Sequence, residues 1–434
     1  MYDRIKGFRD FYPEEMAVRR ETTATLEETA RRYGFREVGT PALESTQMYI
    51  DKSGEEIVDE LFSFTDRGGR AVALTPELTP TLARMVVAKQ QALTKPIKWY
   101  STRPFWRYEE PQQGRFREFY QTNVDIFGSA SPAADAEVLA WAADALTALG
   151  LDGDDFEFRV SHRDLLGGLL TAIAPDVDVA SAIRAVDKRE KAAEPEYRDL
   201  LADAGLEAAD IERFDAALAA GDDDLEELID LADSDRVRAA TENLQNVLEM
   251  AERFGVRDHC TISLETARGL DYYTGVVFEC FDVTGAVSRS IFGGGRYDDL
   301  IEGFGGQPLA AVGVAPGHAT LHLLLAHAGV IDDGEPVTDY YVLTVGDTYE
   351  TAASLVQTLR GRGNVVETDV SDRSFGAQLE YADAIGARTV VIVGERDLAE
   401  GQVTVKDMET GEQVTAPCSE FPGDRDRPTI DDFR

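Results

Sequence analysis

The stretch from Arg103 to Asp125, RPFWRYEEPQQGRFREFYQTNVD, constrains the fold more than any other part of the chain. From Ile97 to Phe127 the sequence reads as two strands rich in aromatic and β-branched residues, split by a glycine-containing loop at Glu110–Arg115. Side chains on a strand alternate between faces. Odd positions carry Arg103, Arg107, Glu109, Arg115, Arg117, Phe119, Gln121, Asn123 and Asp125, while even positions carry Trp106, Tyr108, Phe116, Tyr120, Val124 and Ile126. The even face is expected to be core. The odd face fits an antiparallel hairpin wetted on one side, yet solvated faces favour Lys, Glu and Thr over several Arg. Guanidinium forks with a phenyl ring, an amide and a carboxylate suit a polyanion beside an aromatic ring. A functional site is expected here.

Two other stretches carry chemistry. TARGLDYYTGVVFE places Arg268 before a glycine and follows it with Asp271, Tyr272 and Tyr273; Gly269 and Gly275 permit close backbone approach to a ligand. An ordinary strand with a bulge reads equally well there. IFGGGRYDDL brings three consecutive glycines that match neither Walker nor dinucleotide spacing. In isolation they read as a flexible turn.

The rest of the chain organises around these motifs. Residues 14–33 read as an amphipathic helix, and REVGTPALE as a short strand ending at Pro41. LFSFTDRGGRAVALTPELTPTLARMVV reads as a hairpin turning at Arg67–Arg70, before a helix that opens near Thr79 with Pro80 in its first turn. An Ala-rich helix covers 132–150, and 164–257 is Ala-, Asp- and Leu-rich at helical spacing. Strands resume at Cys260 and run through VVFECFDV and VSRSIFGGG, and a helix follows at 317–329. In the tail YYVLTV, NVVETDV and TVVIVG alternate with helical stretches at 348–361 and 375–386, and QVTVKDM with EQVTAP closes a small open mixed sheet. The expected domains are 1–163 with 258–330, a helical insertion at 164–257, a linker at 331–337, an α/β domain at 338–420 and a tail at 421–434.

Taken together, these residues resemble a known family. RYEEPQQGRFREFYQ is similar to motif 2 of class II aminoacyl-tRNA synthetases, and YGFREVGTPALE, with Pro41, to motif 1. ARGLDYYTG and GGGRYD resemble the two signatures peculiar to histidyl-tRNA synthetases, and LTPELTP resembles that family's histidine-binding loop. The resemblance runs from KGFRDFYP to about residue 417. It implies an α+β catalytic domain on an antiparallel sheet (the class II synthetase fold) with a helical insertion, plus a C-terminal α/β anticodon-binding domain. The implied activity is that of a histidine–tRNA ligase: ATP-dependent formation of histidyl-adenylate, then transfer of histidine to the 3′ end of its tRNA. Family members are cytoplasmic homodimers that contact the acceptor stem and anticodon. ATP with Mg²⁺ is implied, the ion being held by nucleotide and carboxylates, with no protein metal site.

Carried onto this sequence, the resemblance puts Arg107 and Arg268 on the α-phosphate from two sides. Glu109 would accept from the adenine amino group, Phe119 would stack on the ring, and Arg115 would join the ATP site. Glu77, Thr79 and Gln121 would hold the α-amino group of histidine, while Asp125 and Tyr273 reach its imidazole. One departure stands out. VGVAPGHATLHLLL falls on motif 3, which usually reads Gly-x-Glu-Arg, so the Glu and Arg positions are Ala319 and Thr320 here. Either another cation, Arg296 or Arg115, is expected at the γ-phosphate, or ATP affinity is expected to be reduced. A degraded motif 3 also fits the regulatory paralog of the family, which senses histidine for a phosphoribosyltransferase and charges no tRNA. Arg107, Glu109, Arg268 and the C-terminal domain argue against it. A non-catalytic tRNA-binding module would leave the histidine pocket unexplained.

The charge balance bears on a nucleic-acid partner. Asp plus Glu number 81 against 43 Lys plus Arg, a formal net charge of −38, and only eight of the cations are Lys. Phosphate contacts come from cations, so such acidity opposes nonspecific binding. The objection weakens at high salt, where binding rests on shape and hydrogen bonds for any protein. The acids are spread through every segment, which excludes an acidic tail as their reason. The Debye length falls from ~10 Å at 0.1 M salt to ~3 Å at 1 M, which would screen this self-repulsion. Adaptation to a salt-saturated cytoplasm is the expectation. The opening MYDRIKGFRDFYP lacks a signal-peptide core, no apolar run reaches membrane-spanning length, and Cys260, Cys280 and Cys418 form no C-x-x-C pair. The melting temperature should therefore rise as KCl is raised toward molar concentrations; a flat or falling curve would refute the salt adaptation.

Overall fold

The computed structural model describes residues 2–53, 55–189, 193–219, 225–267, 272–287, 289–331 and 338–418. The chain divides into two compact units, Met1–Ile331 and Asp332–Arg434. In the first, helix α1 (Pro13–Arg32) opens on a proline, and the Glu15 carboxylate accepts from the Tyr12 amide at 2.9 Å. The segment expected as one strand ending at Pro41 forms two. Strand β1 (Arg36–Glu37) joins a large sheet, whereas β2 (Leu43–Ser45) pairs in a small one with β3 (Ser63–Thr65) and β4 (Ala71–Leu74), after helix α2 (Thr46–Ser53). Pro41 offers no N–H to either ladder, so the chain changes sheets around it. Asp66 holds the β3–β4 turn by accepting from the Gly68 and Arg70 amides at 2.8 and 2.9 Å.

Helix α3 (Thr79–Lys89) precedes the long hairpin of β5 (Ile97–Trp106) and β6 (Glu118–Phe127), and α4 (Pro132–Ala148) follows it. Strand β7 (Phe156–His162) leads into helices α5 (Arg163–Ile173), α6 (Val179–Lys188), α7 (Glu194–Asp203), α8 (Ala208–Leu218), α9 (Leu225–Ala232) and α10 (Asp235–Arg253). Strands β8 (Cys260–Ile262), β9 (Val276–Asp282) and β10 (Phe292–Arg296), helix α11 (Leu300–Gly303), strand β11 (Ala311–Val314) and helix α12 (His318–His327) complete the unit. Among the described residues the large sheet runs β1-β5-β6-β11-β10-β9-β7-β8. Its interior pairings are antiparallel, and the edge pairs β1–β5 and β7–β8 are parallel.

The sheet is covered on both faces. Val124, Ile126, Val312 and Val314 pack into the core that also holds α4 and the helices between β7 and β8. Phe127, Val277 and Tyr297 pack with α3 on the opposite face. On β6 the even positions Val124 and Ile126 are core as expected, whereas Tyr120 is only partly buried. Of the odd positions, Phe119 and Gln121 are partly exposed, but Asn123 and Asp125 are not wetted, at 5% and 2% exposure. Tyr108, expected in the core, is exposed because it lies in the loop beyond the end of β5.

The three consecutive glycines lie on β10, a buried interior strand, and not in a turn. A Cβ on Gly294 would sit 2.3 Å from the Gly313 carbonyl oxygen, so glycine here lets two strands and the Phe278 ring close together. The strand ends on Arg296, which faces α4. Its Nε donates to Asp135 at 2.9 Å and its Nη1 to the Ser129 carbonyl at 3.0 Å and to Asp298 at 3.2 Å. Burial opposes charge on both partners, and each offsets that cost for the other.

The second unit has a sheet of order β13-β12-β14-β15-β16 among the described residues: β12 (Tyr340–Val345), β13 (Val366–Thr368), β14 (Thr389–Gly394), β15 (Gln402–Asp407) and β16 (Gln413–Pro417). Its first three strands are parallel and the last two form an antiparallel hairpin. Helices α13 (Tyr349–Gly361) and α14 (Phe375–Ala384) make the crossovers. Residues 332–337, 419–420 and the expected tail at 421–434 lie outside the described residues.

Removing one partner of a buried ion pair strands the other. Asp135→Ala should therefore cost about 3–5 kcal/mol, read as the shift in guanidinium midpoint in molar KCl. A change under about 1 kcal/mol, the range of a surface pair, would refute the buried clamp.

Candidate active site

One row across three strands shapes the site. Asp125 on β6 pairs with Gly313 on β11, which pairs with Gly295 on β10. Paired residues share a face, so all three look toward α3. A Cβ on Gly313 would meet Asp125 Oδ1 at 2.2 Å, and one on Gly295 would meet the Tyr273 ring at 2.9 Å. The glycines thus let the Asp125 carboxylate and the Tyr273 ring lie directly against the backbone of the sheet. Tyr297 donates its phenol to Asp125 Oδ1. The other carboxylate oxygen, Oδ2, is buried with no hydrogen-bond partner among the described residues. Burial pushes the Asp125 carboxyl up to about 7, with the Tyr297 hydrogen bond acting in the opposite direction.

Glu77 and Thr79 enter from the start of α3, and both are buried. The Tyr272 hydroxyl donates to Glu77 Oε2 at 3.4 Å, and its ring lies 4.7 Å from that of Tyr273 and 5.7 Å from that of Tyr297. Glu77, three tyrosines and Asp125 therefore form one connected wall. Gln121, four residues before Asp125, shares its face by strand parity and lines the adjoining cavity.

That cavity has a volume of about 460 Å³ and is also lined by Arg107, Glu109, Arg115, Phe119, Arg289 and Thr320. Arg107 Nε donates to the Pro76 carbonyl at 3.1 Å, tying the hairpin loop to the segment that carries Glu77. Its guanidinium lies 5.7 Å from the centroid of the Phe119 ring. Glu109 is shared between Arg115 at 3.1 Å and Arg107 at 3.8 Å. The cavity thus offers an aromatic face beside clustered guanidinium groups, and it can take a flat ring carrying a polyanion.

Of the residues singled out from sequence, the structure gathers Glu77, Tyr273 and Asp125 in the wall, with Thr79 beside them at the start of α3. It gathers Arg107, Glu109, Arg115, Phe119 and Gln121 at the cavity. Arg268 lies outside the described residues. Arg296 was expected as a possible γ-phosphate ligand, and this is corrected. It points to the other face of the sheet and is held by Asp135 and Asp298, because an even step from Gly294 puts it away from the pocket. Tyr297 and Arg289 were not singled out. Tyr297 lies in the GGGRYD signature; Arg289 was absorbed into a strand reading, and its one sequence signal is a cation inside the otherwise uncharged run VSRSIFGGG.

Asp125 fixes a pH dependence. Its folded-state value of about 7 exceeds the ordinary 3.8, so its contribution to stability is complete below about pH 4 and is lost as pH rises through about 7. Asp125→Asn removes that loss. The melting temperature of the variant relative to the parent should climb from about pH 5 to about pH 8 in the absence of ligand. A difference independent of pH would show that Asp125 is ionised throughout.

Comparison with known proteins identifies the family. The sequence model of the family described as Histidyl-tRNA synthetase matches residues 7–321, and that of the Anticodon binding domain matches 339–423. A histidine–tRNA ligase of Haloarcula marismortui is 69% identical over 433 residues, with both chains covered in full. One of Pyrococcus abyssi is 39% identical, covering 96% of this chain and 97% of that one. Among solved structures, a histidyl-tRNA synthetase of Nostoc sp. PCC 7120 superposes with a TM-score of 0.81 at 26% identity, covering 96% of this chain and 97% of its own. The chain belongs to the histidyl-tRNA synthetase family, the class II aminoacyl-tRNA synthetases built from a catalytic domain and an anticodon-binding domain.

Proposed function

We propose that this chain holds ATP and histidine side by side on the α3 face of the large sheet and charges histidine tRNA in two steps. A carboxylate oxygen of histidine attacks the α-phosphorus, the bond from that phosphorus to the bridging oxygen breaks, and pyrophosphate leaves. The histidyl group then passes to the 3′ end of the tRNA, with release of AMP. The observation that carries this reading is the buried Asp125 Oδ2, without a hydrogen-bond partner among the described residues, on the strand whose Gln121 lines the guanidinium-bearing cavity. An imidazole N–H can donate to that oxygen, and Tyr273 is the partner proposed for the second ring nitrogen. Glu77, Thr79 and Gln121 would hold the α-amino group.

Little covalent chemistry falls to the protein, so rate comes from positioning and from neutralising phosphate charge. Arg107 is the proposed α-phosphate ligand; its tether to the segment before Glu77 keeps it at the border of the two subsites. Arg268 would approach from the other side, as the resemblance implies. Phe119 supplies the stacking face, and Glu109 would exchange a guanidinium for the adenine amino group. Among the described residues no three His, Cys, Asp or Glu converge into a metal cage. Glu265 and Glu279 line the cavity and suit an ion that takes most of its ligands from phosphate and water. Mg²⁺ bound with ATP would neutralise phosphate charge.

On this reading 1–163 with 258–330 form the catalytic domain, 164–257 the insertion and 338–420 the anticodon-binding domain of a cytoplasmic homodimer. Among the described residues no helix is long and apolar enough to cross a membrane. In the second unit Arg373 and Arg388 already face Asp369 and Asp339, at 2.8 and 3.7 Å. Exposed Tyr349 and Phe375, where α13 and α14 leave the parallel strands, offer stacking faces that salt does not screen.

Amino-acid-dependent ATP–pyrophosphate exchange, run with each amino acid in about molar KCl, tests the first step. Exchange with histidine alone is expected, and Asp125→Ala should raise the KM for histidine at least about tenfold more than that for ATP. No exchange from a folded sample would favour the regulatory paralog. Equal changes in both KM values would refute the role of Asp125.

A further inference from the structure

Four guanidinium groups line the cavity among five carboxylates, and three of the four are ion-paired. Arg107 and Arg115 share the one carboxylate of Glu109. Arg289 is half-buried at the same end and forms no ion pair among the described residues. Its Nη2 donates to the Gln113 carbonyl, at 3.0 Å. Burial and the neighbouring Arg115 both work against its charge, with Glu109 a partial offset. Holding a guanidinium in such a place costs free energy unless an anion joins it. In a chain of net charge −38, with acids in every segment, a half-buried guanidinium without an ion pair calls for an anion that the described residues do not supply.

The packing around Arg289 shows how it is held. Gly114, at the tip of the hairpin loop, has φ +69, and a Cβ there would lie 2.8 Å from Arg289 Nη2, 3.0 Å from Leu323 Cδ1 and 3.1 Å from Thr320 Cγ2. Thr320 Oγ1 in turn donates to the Ile291 carbonyl at 2.6 Å, fixing the first turn of α12 to the segment that carries Arg289. Loop tip, helix start and arginine thus meet at one point. Position 320 contributes a methyl group there, and the guanidinium arrives from the strand segment beside it. The base of the loop, at Arg107, is tethered next to the amino-acid wall; the tip is the end remote from it.

We propose that Arg289 binds the terminal phosphates of ATP, the pair that leaves as pyrophosphate, and so supplies from the segment before β10 the cation that α12 lacks. The proposal rests on the reading that this cavity takes ATP. A planar fork with one N–H on the loop keeps further donors for phosphate oxygens. The same hydrogen bond makes loop position and phosphate binding depend on one side chain.

The test compares ATP with AMP, which lacks the two outer phosphates. Histidine-dependent pyrophosphate exchange in about molar KCl gives the KM for ATP and the inhibition constant for AMP. Arg289→Gln keeps a neutral donor for the Gln113 carbonyl and removes the charge; Arg289→Lys keeps the charge. The KM for ATP should rise about tenfold or more in Arg289→Gln and less in Arg289→Lys, with AMP inhibition within about twofold of the parent in both. Equal weakening of ATP and AMP would reduce Arg289 to a loop brace and overturn the proposal, as would an unchanged KM for ATP. A parent that gives no exchange would instead overturn the functional reading, and this inference with it.

Discussion

The buried ion pair of Arg296 and Asp135 is the contact on which the site depends. It pins the end of β10 to the start of α4 from the face opposite the pocket, and the strand's alternation then dictates everything next to it. With Arg296 turned toward α4, Gly295 must face Tyr273, and Tyr297 past the strand end reaches back to Asp125. A slip of one residue would put the guanidinium against Tyr273 and the glycine against α4. Buried ion pairs add little net stability over a well-packed apolar core. This one sets a register.

Gly313 and Gly295 stand where any Cβ would touch Asp125 or Tyr273, so both side chains lie directly against the backbone of two interior strands. Two groups of the candidate site are left partly unmet among the described residues: Asp125 keeps one bare oxygen, and Arg289 keeps spare donors. Both cost the empty fold free energy, and both are offset when a ligand brings the complementary group. Unmet groups of this kind are expected at a binding site.

Acidity and phosphate chemistry coexist here because they act on different scales. The net charge of −38 is a property of the whole surface and is screened by salt over a few ångströms. On the proposed reading, the guanidinium groups of Arg107, Arg115 and Arg289 would act on phosphate through direct, directional hydrogen bonds inside a cavity, where screening is weak. Arginine in place of lysine suits that division, since a planar fork carries geometry as well as charge.

The elements with a strong period were legible from the sequence alone: α1, the β3–β4 turn, the β5–β6 hairpin, α4, the helical stretch before Cys260, and the parallel strands and crossovers of the second unit. So were most residues of the site, because strand parity and four short motifs select them. Strands β7 and β11 were not read, since FEFRVSH and AVGV are short and take their pairing from distant partners. The fate of Arg296 was not legible either. Whether a cation after three glycines looks into a pocket or into a helix depends on the phase of its strand, and that phase is set by α4, 161 residues earlier in the chain. The sequence by itself determined which chemistry this protein carries and on which hairpin. Only the tertiary structure decided which guanidinium groups reach the cavity, because burial and facing are properties of the packed sheet and not of any local run of residues.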